Sequence, residues 1–303
     1  MRTIWLASYP KSGNTWFRML IANLSVTGDE PADINDLPER GGIASARGPF
    51  DYLTLIDSGL LTPDEIDSLR PRVYERLARG EPDDEYDAPK AALSVRFVKA
   101  HDAYTLTPLG EPLLAGRGGA DGAILIVRDP RDVVLSLANH LGATIDRTIA
   151  FLNNREAGFC TAPANQHSQL RQRLLSWSGH TASWLEQTGI PVHLIRYEDM
   201  QADVIGVLAR ALAFAKRDAS EEAVRRAVAL ASFGNLQRQE AENGFAEAPR
   251  KMREGLFFRR GEAGAWRKEL DPDQVARIEA AHAPMMERLG YPVVELGNAA
   301  RNG

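Results

Sequence analysis

Eight residues near the N-terminus, from Tyr9 to Trp16, combine the features of an anion-binding site. Lys11 supplies a positive charge, and hydroxyl and amide donors surround it at Ser12, Asn14 and Thr15. An apolar run, Ile4 to Ala7, predicts a buried strand before the loop. Apolar residues then recur at helical spacing, so a helix should begin near Asn14 or Thr15. The N–H groups and positive dipole end of that helix would face the loop, where a phosphate or similar group should bind.

The order of residues in this loop differs from that of a nucleoside-triphosphate P-loop. That motif requires glycine, four residues and then Gly-Lys-Ser/Thr, whereas Lys11 precedes the only glycine of the loop, Gly13. Another apolar strand ends shortly before Asp129, which could imitate the magnesium ligand of a P-loop protein. Arg128, however, precedes this aspartate. A nucleotide kinase therefore remains an alternative, but the sequence lacks the phosphate-binding motif that such kinases usually carry. A surface turn before an amphipathic helix is another, although it would not require this set of donors.

A histidine follows another predicted strand. The residues from Ser94 to Ala100 are predicted to form this strand. Lys99 lies near the end of the strand, and His101 directly follows it. In an open parallel α/β sheet, ligands bind beyond the carboxyl ends of the strands, so Lys11 and His101 would lie at the same edge. A lone histidine is more often structural than catalytic, and the residues alone leave both roles open.

The most apolar run of the chain is Ala123 to Val127, which predicts a central parallel strand buried on both faces. It leads into Arg-Asp-Pro-Arg-Asp, from Arg128 to Asp132. We expect the next helix over about Val133 to Leu141, with Asp132 as its N-cap and Ser136 on its second turn.

The other elements complete one α/β domain over residues 1–303. Residues 28–90 are rich in proline and acidic residues and are typical of an insertion, which either shapes a pocket or forms a solvated decoration. A polar, turn-rich loop is expected over 153–169 and a mobile, charged one over 239–255. Further predicted elements are helices near 50–58, from 62, over 171–185, 204–215, 221–231 and 271–291, and a strand over 192–197.

Composition limits the partners. The 303 residues include 36 Lys+Arg and 41 Asp+Glu, a formal net charge of −5, so no global basic surface for nucleic acid or anionic membrane is expected. Cys160 is the only cysteine, which suits a reducing compartment. No apolar run approaches the ~20 residues of a membrane helix. We expect a cytoplasmic protein, compatible with a homodimer.

Several motifs resemble those of sulfotransferases that use 3′-phosphoadenosine-5′-phosphosulfate (PAPS). The loop from Tyr9 to Trp16 resembles their 5′-phosphosulfate loop, and Lys99-Ala100-His101 is similar to their Lys-Thr-His segment. In this chain Ala100 replaces the threonine, and Asp102 stands where the family usually has an apolar residue. The run that begins at Arg128, with Ser136 eight residues later, resembles the family's 3′-phosphate motif.

Three later segments also match the family. Tyr197-Glu198-Asp199-Met200 is a sequence seen at this point in sulfotransferases, and Ser232-Phe233 followed by Leu236 resembles a segment whose aromatic residue contacts the base. Arg259-Arg260-Gly261 with Trp266 is similar to the third signature, with Arg260 in place of lysine and Ala265 in place of an acid. The four main motifs follow in the family's order.

The resemblance implies a cytosolic-type, PAPS-dependent sulfotransferase, with a parallel sheet flanked by helices on both faces and related to P-loop kinases. The compact N-terminus suggests a bacterial member. Such an enzyme moves a sulfuryl group from PAPS to a hydroxyl or amine of a small molecule, releases adenosine 3′,5′-bisphosphate (PAP) and needs no metal. A catalytically inactive nucleotide-binding protein is the non-enzymatic alternative.

The resemblance also assigns roles to residues. His101 would act as general base, Lys11 would stabilise the departing phosphate, and Lys99 would steady the transferring sulfuryl group. Residues 239–260 would form a loop that covers the cofactor. The implied cofactor-binding residues are Lys11, Ser12, Gly13, Asn14, Thr15, Trp16, Arg128, Ser136, Tyr197, Ser232, Phe233, Leu236, Arg259, Arg260 and Gly261.

Overall fold

The structure is a computed structural model that describes residues 1–36, 42–79, 95–162, 167–249, 255, 257–258 and 261–294. Two of the implied cofactor-binding residues, Arg259 and Arg260, lie outside the described residues. Parts of the predicted insertion, 37–41 and 80–90, and part of the predicted covering loop lie outside them as well.

A four-stranded parallel sheet forms the centre of the fold, in the order β2, β1, β3, β6. Its strands are β1 Arg2–Ser8, β2 Val95–Ala100, β3 Gly122–Val127 and β6 Val192–Arg196. A separate antiparallel pair joins β4 Gly158–Phe159 and β5 Gln172–Arg173. The parallel α/β architecture predicted from the sequence is confirmed.

Helices flank the sheet and connect its strands, as parallel pairing requires. The helices are α1 Asn14–Asn23, α2 Arg47–Thr54, α3 Pro63–Arg79, α4 Gly116–Gly119, α5 Pro130–Leu141, α6 Ile145–Asn153, α7 Trp177–Glu186, α8 Tyr197–Ala202, α9 Val204–Ala215, α10 Glu221–Leu230, α11 Phe233–Asn243, α12 Trp266–Glu269 and α13 Pro272–Arg288. Among the described residues, none of these helices is long and apolar enough to cross a membrane.

Two apolar layers cover the two faces of the sheet because successive side chains of a strand point to opposite faces. In β1, Trp5 and Ala7 belong to one buried cluster, and Ile4 and Leu6 belong to the other. All six residues of β3 are buried, as the continuous apolar run predicts. The sheet is therefore fixed between two cores, and its strand ends form a rigid edge.

The predicted insertion contributes to one of these cores. Phe50 on α2 and Tyr74 on α3 are buried in the same cluster as Trp5, whose ring meets that of Tyr74 edge-on at 5.4 Å. The start of α3 carries the capping interactions expected from its sequence, because Thr62 N donates to Glu65 Oε2 and Glu65 N donates to Thr62 Oγ1. Helices α2 and α3 thus pack on the sheet and are not a solvated decoration.

The helix after β3 begins earlier than predicted. Asp129, not Asp132, is its N-cap and accepts a hydrogen bond from Arg131 N, with Pro130 at the first helical position. Asp132 instead accepts hydrogen bonds from the backbone N–H groups of Gly264 and Trp266. The carboxylate predicted to cap a helix therefore holds a distant turn in place.

Several further boundaries differ from the prediction, and Tyr197, expected at the end of a strand, begins α8. The expected helix over 171–185 begins only at Trp177, where Ser176 caps it, because Gln172 and Arg173 pair with β4 and Leu175 has a left-handed φ of 60°. The expected loop over 239–255 begins as helix, since α11 continues to Asn243. The physical reason is burial: Gln239 and Glu240 both lie on the inner face of α11.

Candidate active site

Four strand ends meet at one edge of the sheet and border a cavity of about 820 Å³. The loop that contains Lys11 follows β1, His101 follows β2, Arg128 follows β3 and Tyr197 follows β6. All four side chains line the cavity. Residues that are far apart in the chain converge here because parallel strands place their carboxyl ends at the same edge.

The loop after β1 has a backbone shape that few sequences allow. Lys11 has a φ of 70° and Gly13 a φ of 104°. A Cβ atom on Gly13 would approach Cδ2 of Tyr197 to 2.6 Å, so glycine is required both for the conformation and for the contact. Asn14 Nδ2 donates to Leu6 O at 2.9 Å and anchors the loop to the strand.

Helix α1 begins at Asn14 as predicted and presents its N-terminus to the loop. Its first intrahelical hydrogen bond runs from Phe17 N to Gly13 O, so the N–H groups of Asn14, Thr15 and Trp16 have no partner within the helix. The N-cap, Gly13, has no side chain to bind them. These N–H groups and the dipole favour an anion at this end of the cavity.

Lys11 faces the same space as two other cations. Its Nζ lies 3.2 Å from the centre of the Phe257 ring. Burial lowers the pKa of Lys11 well below its usual range, and the charges of Lys99 and Arg128 lower it further. This mutual repulsion marks a region where an anionic group would be stabilised.

The geometry of His101 determines which of its ring nitrogens carries the proton. Nδ1 lies 2.8 Å from the carbonyl oxygen of Ser8, which can only accept a hydrogen bond. Nδ1 therefore carries the hydrogen, and in the neutral ring Nε2 holds the lone pair. His101 lines the cavity. Burial, followed by the charge of Lys99, lowers the pKa of His101 well below its usual range, which outweighs the opposite effect of the bond to Ser8.

Residues that do not line the cavity fix the backbone around His101 and the side chain that follows it. His180 Nε2 lies 3.2 Å from the carbonyl oxygen of His101. The next side chain, Asp102, points away from the imidazole and into a fully buried ion pair with Arg70 of α3, at 3.2 and 2.6 Å. Asp102 is thus committed to Arg70 and does not lie against the ring to raise the pKa of His101.

Lys99 is paired with a residue of the predicted covering loop. Its Nζ lies 2.9 Å from Oε2 of Glu247, whose other carboxylate oxygen lies 2.6 Å from Nη1 of Arg18. Burial favours the protonated form of Glu247, but the two cations outweigh it and lower its pKa to about 2. The segment around Glu247 is thereby tied to β2 and α1.

Aromatic rings and Arg128 border the cavity beyond the loop. The Arg128 guanidinium lies 4.2 Å from the centre of the Tyr197 ring and donates to Glu262 O at 2.6 Å. Tyr197 Oη donates to Gly261 O at 3.0 Å. The Trp16 ring meets Tyr197 edge-on at 5.8 Å. Ser136 of α5 lines the cavity with Arg128, as its spacing predicts.

Not every predicted cofactor residue lies in the cavity wall. Phe233 and Gly261 do line it and are in close contact, since a Cβ atom on Gly261 would approach the Phe233 ring to 2.6 Å. By contrast, the cavity-lining residues include neither Ser12, which is buried, nor Leu236, which is in the apolar core, nor the exposed Ser232.

Buried polar atoms of the cavity wall fit a polar, anionic ligand. Asn14 Oδ1 and Arg128 Nε have no hydrogen-bond partner within the described part of the chain. Arg128 Nε, the N–H groups of α1 and the charge of Lys11 suit the oxygens of an anionic group, whereas Asn14 Oδ1 can only accept a hydrogen bond from a donor of the ligand. Among the described residues, no cluster of three or more His, Cys, Asp or Glu side chains could hold a metal ion.

Several residues of the wall have no local signal in the sequence. Gln172 and His140 line the same cavity as His101 and Lys99, and Phe257 covers Lys11. Burial, with the charges of Lys11 and Lys99, lowers the pKa of His140 to about 3. The sequence pattern predicts a helix at Gln172, and only the pairing of this residue with β4 turns its side chain towards the cavity.

An anion loop, a buried histidine and an arginine at adjoining ends of a parallel sheet define an α/β protein of the P-loop-like class. The sulfotransferase domain family matches residues 1–290, and the chain belongs to this family.

Luciferin sulfotransferase of Photinus pyralis is 24% identical over 285 residues, which cover 91% of this chain and 69% of that protein. Sulfotransferase 2B1 of Homo sapiens is 25% identical over 292 residues, 93% of this chain and 66% of that protein. The chain spans about two thirds of the length of these relatives. A crystal structure of mouse sulfotransferase SULT7A1 complexed with PAP matches with a TM-score of 0.57 at 19% identity, over 94% of this chain and 84% of that one.

Proposed function

We propose that this chain is a PAPS-dependent sulfotransferase that transfers a sulfuryl group to a hydroxyl or amine of a small molecule, with His101 as general base. The observation that carries the proposal is the hydrogen bond from Nδ1 to Ser8 O, which leaves the lone pair of Nε2 for the acceptor's proton. Membership of the sulfotransferase domain family and the PAP complex of the mouse relative support the choice of cofactor.

Each residue around the histidine has a defined task in this reaction. PAPS, when bound, supplies the sulfuryl group and leaves as PAP. His101 accepts the proton of the attacking acceptor, which is typically worth ~10²- to 10⁴-fold in rate. Lys11 and the N–H groups of α1 stabilise the negative charge that grows on the departing phosphate. Lys99 keeps its contact with Glu247 and steadies the sulfuryl oxygens with its remaining donors, since an ammonium group has three.

The rest of the wall selects the nucleotide. Arg128 and Ser136 hold the 3′-phosphate, since a guanidinium and a hydroxyl both donate to phosphate oxygens. Trp16, Tyr197 and Phe233 surround the adenine. Gly261 lets the backbone approach these rings closely. Ser12, Ser232, Leu236, Arg259 and Arg260 stay predictions from the sequence motifs.

Transfer of ³⁵S from labelled PAPS to a panel of phenols, alcohols and amines tests the proposal. We expect labelled product with the wild-type chain and at least ~100-fold less with His101→Ala. Transfer of phosphate from ATP in the presence of Mg²⁺, with none of sulfur, would support the nucleotide kinase instead. Binding of PAP without any transfer would support an inactive nucleotide-binding protein. A cytoplasmic location, a bacterial source and a homodimer stay predictions.

A further inference from the structure

We propose that the acceptor is an uncharged molecule which carries, besides the group that is sulfated, a second hydroxyl or N–H group that donates a hydrogen bond to Oε1 of Gln172. This inference rests on the proposed function and names the class of substrate for the same cavity. It comes from the position of Gln172, from its unpartnered oxygen and from the charges around it.

The β4–β5 pair places Gln172 in the wall of the cavity that His101 also lines. The next residue, Arg173, donates its backbone N–H to Asp102 Oδ1 at 2.9 Å and accepts from Ala103 N at 2.7 Å, so β5 adjoins the residues that follow His101. Successive side chains of a strand point to opposite sides. Arg173 turns towards Asp67, at 3.0 Å, and Gln172 turns towards the cavity.

Only one of the two polar atoms of the Gln172 amide has a hydrogen-bond partner among the described residues. Its Nε2 donates to Gln169 Oε1 at 2.5 Å, and Ser45 Oγ donates to that same oxygen at 3.3 Å. Oε1 of Gln172 is buried without a hydrogen-bond partner among the described residues, although the whole residue is only 2% exposed. Buried amide oxygens are almost always paired, because leaving one unpaired costs its desolvation free energy. A hydroxyl or N–H group of a bound acceptor would supply the missing partner.

The buried carboxylates in the described part of the wall already have partners, so they would not bind a positively charged acceptor. The carboxylate of Glu247 is neutralised by Arg18 and Lys99, and that of Asp132 accepts two backbone N–H groups. Glu262 is exposed, and it is its backbone carbonyl oxygen that accepts a hydrogen bond from Arg128. An ammonium group on the acceptor would therefore find no unpaired buried carboxylate among the described residues of the wall.

The cations of the wall are also assigned to other groups than the acceptor. Lys11 and Arg128 face the part of the cavity that we assign to the anionic groups of the nucleotide. His101 and His140 are neutral at pH 7, because burial and the nearby lysine charges lower the pKa of both. Phe159, stacked on Phe151 at 5.7 Å, adds an apolar surface for the body of the molecule. The wall thus suits a neutral acceptor with an apolar body and one added donor.

Matched pairs of acceptors test this inference. Each pair of phenols or alcohols differs by one added hydroxyl, as 4-ethylphenol and 4-(2-hydroxyethyl)phenol do. We expect wild-type kcat/KM to be at least ~10-fold higher for the hydroxylated member of the preferred pair, the effect of one hydrogen bond to a buried group. Replacement of the second hydroxyl by a carboxylate or an ammonium group should abolish this advantage.

Two substitutions locate the effect. Gln172→Met removes the accepting oxygen and should bring the ratio within the pair to about one, through a higher KM for the hydroxylated member. Gln169→Met removes the partner of Nε2 but keeps Oε1 of Gln172, so the ratio should persist even if both rates fall. PAP affinity and melting temperature show whether each variant is folded.

The outcomes separate the inference from the function on which it rests. Equal wild-type kcat/KM within every pair overturns the inference, and this measurement needs no variant. A ratio that is kept in Gln172→Met also overturns it, whatever the result for Gln169→Met. A chain that binds no PAP and transfers no label to any acceptor contradicts the proposed function itself.

Discussion

Nδ1 of His101 lies 2.8 Å from the carbonyl oxygen of Ser8, and this one contact sets the tautomer of the imidazole. Ser8 is the last residue of β1 and His101 directly follows β2, and the two strands pair in parallel with Ala7 opposite Ala100. The hydrogen bond therefore depends on the register of two core strands. A rigid sheet presents Nε2 as a proton acceptor.

The first prediction concerns the chemical step. His101→Ala should lower kcat by at least ~100-fold, while PAP affinity and melting temperature stay nearly unchanged. His193→Ala is a matched control, because this half-buried histidine of β6 stacks on Phe214 and is absent from the cavity wall. If His101→Ala keeps more than about a tenth of the activity, the base lies elsewhere, and His140 in the cavity wall is then the next candidate.

The pH dependence follows from the lowered pKa of His101. A base must be unprotonated, and a lowered pKa keeps the ring neutral to a lower pH, so kcat should fall on acidification only below the ordinary histidine pKa of ~6.5. Lys99→Met removes a charge that lowers this pKa and leaves Glu247, which raises it, so the acid limb should move to higher pH. Profiles of kcat against pH for both proteins test the shift. An acid limb above pH ~6.5 in the wild type, or a downward shift in the variant, would contradict it.

The buried pair of Asp102 and Arg70 should dominate the stability of the region behind the base. Asp102→Asn removes one of the two fully buried carboxylates that contact Arg70 and leaves Asp67 at 3.3 Å, so the free energy of unfolding should fall by roughly 1 to 3 kcal/mol. The double variant Asp102→Leu with Arg70→Met should recover much of this loss, since apolar residues can replace a buried pair. Urea unfolding of the wild type, Asp102→Leu, Arg70→Met and the double variant forms a complete cycle, with Asp102→Asn measured beside it. A loss below about 1 kcal/mol in Asp102→Asn would mean that the pair is not desolvated as the structure shows.

Gly13 should tolerate no side chain. Gly13→Ala places a Cβ atom 2.6 Å from the Tyr197 ring at a φ of 104°, so we expect a loss of about 1 to 3 kcal/mol in stability and weaker PAP binding. Gly28→Ala is the control, because no atom lies within 4 Å of the position that its added methyl group would take and its φ is not in the left-handed region. Thermal unfolding and titration calorimetry measure both effects. Equal behaviour of the two variants would argue against the close contact with Tyr197.

Arg128 should distinguish PAP from AMP. Arg128→Ala should lose about 1.5 to 3 kcal/mol of PAP binding, as expected for a hydrogen bond to a charged group, and much less of AMP binding, because AMP has no 3′-phosphate. Arg117→Ala, an exposed arginine outside the cavity, is the control. Titration calorimetry in the absence of added metal measures the binding of both nucleotides to the wild type and to the two variants. Equal losses for the two nucleotides would remove Arg128 from the 3′-phosphate site.

Local patterns in the sequence were sufficient for the frame of the fold. The apolar runs of β1 and β3 and the start of α1 at Asn14 could be predicted because strand and helix periodicity and N-terminal signals act within a few residues. The same applies to the anion loop, whose donors and glycine are contiguous. The early start of α5 was also within reach, since Asp129 before Pro130 is an N-cap followed by proline at the first position.

Tertiary structure decided the state of the reacting groups. The tautomer of His101 depends on Ser8, 93 residues away, the charge of Lys99 is balanced by Glu247, 148 residues away, and Asp102 is held by Arg70, 32 residues away. Such pairings follow from strand order and helix packing, which no local pattern specifies. Burial then changes the pKa values and leaves the oxygen of Gln172 without a partner among the described residues, because desolvation depends on the atoms that surround a group and not on its neighbours in the chain.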